Sequence, residues 1–109
     1  MPKHEFGIMQ KDPIKGRRYV VYEPKRYNCI SVDDKLIISL SEKLKEIKCY
    51  WHTLDRLESG LAYTGITLIP PRSCTSIMNM LQDNPELSEL KSLLHEAERT
   101  NKYVIHFGI

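Results

Sequence analysis

Five residues offer chemistry by type and position: His52, His106, Cys29, Ser31 and Tyr63. Imidazole titrates near neutral pH and its neutral form ligates transition metals, so His52 and His106 together could move a proton or hold an ion. No H-x-x-x-H or H-E-x-x-H spacing supports a metal centre. Hydrogen bonding across a sheet explains both rings as well, and neither a metal nor a cofactor is expected. Cys29 beside His106 would pair a thiol with its base, with Ser31 or Asp33 as the orienting group. An inert, half-buried thiol is the simpler reading, because reactivity needs an electropositive surround. Cys49 and Cys74 sit where apolar spacing already accounts for them. Asp33-Asp34 reads as a helix cap rather than a general acid and base. His4 and His95 read as exposed surface. Catalytic residues stay unassigned, and whether the chain is an enzyme stays open.

These residues need elements to hold them. Asn28-Cys29-Ile30-Ser31-Val32 alternates like a strand. A helix follows Asp33-Asp34, with Leu36, Leu40, Leu44 and Ile47 on one stripe and Ile37 widening it. Cys49-Tyr50-Trp51-His52-Thr53 is a short strand, and a polar hairpin-type connection leads into a second over residues 61–69. Pro70-Pro71 stops that strand, and Gly65 inside it marks a bulge or a close backbone approach. Cys74, Ile77, Met78 and Leu81 have helical spacing. Asn84-Pro85 caps and opens a further helix, whose buried face is Leu87, Leu90, Leu94 and Ala97. Tyr103-Val104-Ile105-His106-Phe107 is the last strand. Residues 1–27 read as an arm that packs on the domain formed by residues 28–109. Within the arm, Tyr19-Val20-Val21-Tyr22 has strand chemistry and Lys15-Gly16 a turn signal.

The order from residue 28 is therefore βαββαβ. It predicts an α+β, ferredoxin-like sandwich, a four-stranded antiparallel sheet with helices on one face. Strands 28–33 and 61–69 would be central, and 49–53 and 103–107 would be edges. Ile30, Val32, Trp51, Ile66, Leu68, Ile105 and Phe107 would face the helices. Cys29, Ser31, Tyr50, His52, Tyr63, Thr67 and His106 would share the opposite, open face. The alternative is an α+β sandwich in which residues 19–22 add a fifth strand.

Several classes are excluded by composition. The chain has 109 residues, 41% hydrophobic and 28% charged, which suits one folded domain. No apolar run reaches the roughly 20 residues of a membrane span. Met1-Pro2-Lys3-His4-Glu5 lacks a signal peptide's apolar core. Three cysteines without C-x-x-C spacing suit a reduced, cytoplasmic setting. Net charge is +2, too little to announce nucleic-acid binding. Residues 1–28 carry seven Lys and Arg against three Asp and Glu, and the remainder nine against eleven. The basic clusters Lys15-Gly16-Arg17-Arg18 and Lys25-Arg26 could touch phosphates, but solvated surface is the preferred reading.

The runs Tyr50-Trp51-His52-Thr53-Leu54-Asp55-Arg56, Gly65-Ile66-Thr67-Leu68-Ile69-Pro70-Pro71 and His106-Phe107-Gly108-Ile109 resemble those of small bacterial proteins of unassigned function. The likeness covers most of the chain. It implies a bacterial, cytosolic, single-domain protein and carries over no catalytic residues. Two functions are in view. The first is a module that self-associates, as a homodimer, through the open sheet face or an edge strand. The second is a small enzyme or metabolite-binding protein with a pocket on that face, built from Cys29, Ser31, His52, Tyr63 and His106. Nucleic-acid binding through the arm ranks behind both, and no membrane partner is expected.

Overall fold

A computed structural model describes residues 2–81 and 83–109. Met1, the first residue of the expected arm, lies outside the described residues. The chain is α+β. Its strands are β1 (Lys3–Ile8), β2 (Ile30–Asp33), β3 (Lys48–Trp51), β4 (Leu57–Ser59), β5 (Ile66–Ile69) and β6 (Val104–Phe107). They form one antiparallel sheet in the order β2-β1-β6-β5-β3-β4. The helices are α1 (Asp34–Ser39), α2 (Ser41–Leu44), α3 (Pro71–Met80) and α4 (Ser88–Arg99), with single 3-10 turns at Pro24–Tyr27 and Pro85–Leu87. No helix among the described residues is long and apolar enough to cross a membrane.

The sheet departs from the four-stranded ferredoxin-like expectation. It has six strands because the arm and the 54–60 connection each contribute one. β1 lies between β2 and β6, pairing His4 with Val32 and Phe6 with His106. That displaces the 28–33 strand from the centre to an edge and makes the 103–107 strand internal. β3 gains β4 as an outer neighbour. The strand expected over 61–69 begins only at Ile66. Residues before it fold into a turn closed by Gly65 N–H on the Ala62 carbonyl.

All four helices contribute to one apolar layer, with Phe6, Val32, Cys49, Ile69 and Val104 as the sheet's part of it. Met9, Ile66, Leu68, Ile105 and Phe107 form a second layer on the other face, under Tyr19, Tyr27 and Cys29. The expected phase of β2 and β3 matches this arrangement, but that of β5 and β6 is inverted. Ile66, Leu68, Ile105 and Phe107 turn away from the helices, while Thr67 and His106 turn toward them. Every residue of β5 and β6 is buried. Alternation cannot phase a strand that is buried on both faces.

Helix ends follow local chemistry. Asp33 caps α1 by accepting from Lys35 N–H, and Asn84 accepts from Glu86 N–H just before Pro85. The helix expected through Leu36 to Ile47 is broken at Leu40. There the backbone N–H reaches back to Ile37 O, and the Ser39 hydroxyl donates to Leu36 O.

Candidate functional site

The site begins where β1 meets α1. Asp34 N–H donates to the Pro2 carbonyl (3.1 Å), which fixes the head of α1 beside the head of β1. His4 is two residues before Phe6 in β1, so it shares the helix-facing side. On β6, His106 lies between Phe6 of β1 and Thr67 of β5. His4, Thr67 and His106 are fully buried.

These side chains form one hydrogen-bonded chain. The Tyr63 hydroxyl donates to Asp34 Oδ2 (2.8 Å). Asp34 Oδ1 is 2.8 Å from His4 Nε2. His4 Nδ1 is 2.8 Å from His106 Nε2. His106 Nδ1 is 3.1 Å from Thr67 Oγ1, which accepts from Ala62 N–H at 2.8 Å. The two imidazoles are nearly coplanar, at 15°. With both rings neutral, the carboxylate end fixes the hydrogens, since a carboxylate can only accept. One arrangement satisfies every bond with neutral rings. Thr67 donates to His106 Nδ1, His106 Nε2–H to His4 Nδ1, and His4 Nε2–H to Asp34. Among the described residues, no buried side-chain nitrogen or oxygen lacks a partner.

The same contacts set the titration of Asp34, Tyr63 and His106. The bond from His4, helped by that from Tyr63 and opposed by burial, holds the Asp34 carboxyl below its ordinary range. The same carboxylate, with burial, pushes the Tyr63 hydroxyl above its usual value. Burial, with His4 adding to it, lowers the His106 imidazole to about 3. His106 is thus neutral near pH 7, Asp34 ionised and Tyr63 protonated.

An apolar cleft of about 300 Å³ lies over this chain, between α1, α2 and the loop from Ser59 to Tyr63. Ile37, Ile38, Leu44, Trp51 and Leu61 form its walls, with His4, Ser41, Lys45 and Tyr63 also lining it, and the Lys45 ammonium is paired with Glu42 at 3.2 Å. The Trp51 indole N–H is already occupied by the Gly60 carbonyl at 2.9 Å. The Tyr63 oxygen has given its hydrogen to Asp34, so any further hydrogen bond it makes is one it accepts.

The five residues singled out from the sequence do not meet at one place. Tyr63 and His106 belong to the same chain, linked through Asp34 and His4. His52 lies on the opposite face, with φ of +66° and Nδ1 bonded to the Tyr19 carbonyl at 2.9 Å. It borders a separate pocket of about 220 Å³ with Val20, Tyr22, Gly65 and Phe107. The sharing of a proton or metal that His52 and His106 could have offered therefore has no geometric basis. Cys29 is also on that opposite face, and β1 separates its strand from β6, so it does not meet His106. Burial, with Glu5 adding to it, pushes the Cys29 thiol up to about 12, which makes it a poor nucleophile. Ser31 is exposed on the edge strand, opposite Glu5. Among the described residues, no three His, Cys, Asp or Glu side chains gather as a metal site.

His4, Asp34 and Thr67 are the members that sequence reasoning missed. His4 reads as surface only if residues 3–8 are an arm; the apolar spacing of Phe6 and Ile8 was the available signal. Asp34 was masked by its neighbour, because Asp33 alone makes the cap.

Comparison with protein-family models, with curated proteins and with solved structures finds no match to this chain in any of the three.

Proposed function

We propose that this protein binds a small molecule in the cleft between α1, α2 and the Ser59–Tyr63 loop. The ligand has an apolar body and a single hydrogen-bond-donating head, a hydroxyl or an amine. One observation carries the reading: a fully satisfied chain of buried polar groups ends under an apolar cleft, at a tyrosine oxygen left free to accept. Pockets of this kind, apolar with a few convergent polar groups, are where small ligands bind. The chain from Thr67 to Asp34 holds Tyr63 in that state and fixes its direction.

The same electrostatics favour binding over proton abstraction. A carboxyl below its ordinary range is a weak base, and a tyrosine above its own is a reluctant acid. Of the two functions drawn from the sequence, metabolite binding is therefore retained, moved from the face of His52 to the face of His4. A cavity of about 380 Å³ beside Met9, Arg17 and Tyr27 has no comparable cluster of buried titratable groups. The proposal includes a cytosolic setting, supported by three free thiols. The bacterial origin proposed with it rests on the three resembling runs.

The test is thermal-shift measurement with hexanol, hexylamine, benzylamine and hexanoate. The alcohol or the amines should raise the melting temperature, and hexanoate should not. Ile38→Trp, at a half-exposed wall position, should block the cleft and remove the response; Tyr63→Phe should weaken it. A response unchanged in Ile38→Trp, or none from any donor compound, would overturn the proposal.

A further inference from the structure

The segment from Arg17 to Glu23 runs without turn or bend between the Lys15-Gly16 turn and the 3-10 turn at Pro24–Tyr27. Residues 19–22 within it have strand chemistry, yet they join no sheet. Tyr19 uses both of its backbone groups on one neighbour. Its N–H donates to the His52 carbonyl (2.6 Å), and its carbonyl bonds His52 Nδ1 (2.9 Å). In an extended chain, consecutive residues direct these groups to alternate edges. The N–H and carbonyl groups of Arg18, Val20 and Tyr22 therefore point away from His52. Among the described residues, none hydrogen-bonds to them. Val20, Val21 and Tyr22 are 59%, 62% and 62% exposed, consecutive apolar side chains on a free edge. Such an edge is a template for another strand.

We infer that this edge pairs with the same edge of a second copy, antiparallel and centred on Val20. Two features select a second copy and its register. Tyr19 restricts hydrogen-bonded pairing to Arg18, Val20 and Tyr22. Centring on Val20 lets it exchange both bonds with the partner's Val20, and lets Arg18 do so with the partner's Tyr22. The same register sets Arg17 opposite the partner's Glu23 at each end, at a pair where side chains approach closely. The edge is thus complementary in charge to itself under a two-fold axis. Arg17 has no carboxylate partner among the described residues and lies over the Tyr19 ring at 5.1 Å. Among the described residues, the cation paired with Glu23 is the exposed Arg26 at 3.6 Å. One strand pair buries less than the roughly 1,200 Å² of a stable interface, so the dimer is a weak one, in the micromolar range. This inference is independent of the cleft.

Sedimentation velocity over the micromolar range tests it. The wild-type chain should pass from monomer to dimer. Arg17→Glu and Glu23→Arg, which each set like charges opposite one another, should weaken the dimer about tenfold or more. The double variant Arg17→Glu/Glu23→Arg restores opposite charges and should restore association. Val20→Pro, which removes the central donor, should abolish it; circular dichroism checks that each variant is folded. A wild-type chain that stays monomeric would overturn the inference, including one that captures an extended peptide at this edge. A dimer indifferent to both single variants, or one that the double variant fails to restore, would overturn it too.

Discussion

Thr67→Val keeps the side chain's shape and removes only the hydroxyl. It would leave His106 Nδ1 and Ala62 N–H without their partner inside the protein. Each buried group so stranded costs about 1–3 kcal/mol, and urea denaturation should show a loss of that order. A loss under about 0.5 kcal/mol would mean that Thr67 does not close the chain. The pH dependence belongs to His106. In the unfolded chain its imidazole takes up a proton near 6.5, and in the native state only near about 3. Between those values the unfolded state binds more protons, so stability falls as pH falls. Asp34, depressed in the fold, continues the decline below its ordinary value of 3.8. His106→Gln should make the slope between pH 6.5 and 3 shallower; an unchanged slope would show that His106 titrates as an ordinary histidine. At this scale the sequence was legible by type but not by partner. His106 and Tyr63 stood out, but strands buried on both faces hid which way His106 pointed. His4 was hidden by reading residues 1–27 as an arm.

β1 is the element on which the site depends, because it carries His4 and lies inside the sheet. Phe6, 2% exposed, packs in the helix-side layer. Phe6→Ala should cost about 3–5 kcal/mol; a cost below about 1 kcal/mol would place β1 on the periphery. Gly65 shows a different constraint. A Cβ there would sit 2.7 Å from His52 Nε2, and that ring is held by the Tyr19 carbonyl. Gly65→Val should therefore cost about 1–3 kcal/mol and detach residues 19–22 from His52, read as faster amide exchange at Tyr19. Protection equal to wild type would show that the ring has room to move. That something comes close at Gly65 was readable from a glycine in a strand-like run, but what approaches is the His52 ring and not a backbone. The turn that removes residues 61–65 from β5 was not, because their composition is that of a strand. The capping residues Asp33 and Asn84 were readable because capping is local. The break at Leu40 was not, since the apolar stripe continues through it.

The largest departure of the whole molecule from its sequence-based outline is one substitution of position. A segment read as an arm fills the sheet's interior, and the rest of that arm covers the face expected to be open. Helix order, helix faces and α+β class were legible because each rests on short-range periodicity. Strand order was not, since it depends on which strand reaches a free edge first and best, a long-range competition that spacing does not record. With both faces covered, the polar groups that remain inside must satisfy one another, and the chain from Tyr63 to Thr67 does so.

Side-chain imidazole resonances of the ¹⁵N-labelled protein, followed from pH 7 downward, test that chain most directly. The structure predicts that His106 stays neutral well below pH 6.5, and the arrangement with both rings neutral puts its hydrogen on Nε2, toward His4, where it exchanges slowly with solvent. An imidazole at position 106 that takes up a proton near pH 6.5, or that carries its hydrogen on Nδ1 at neutral pH, would contradict the account.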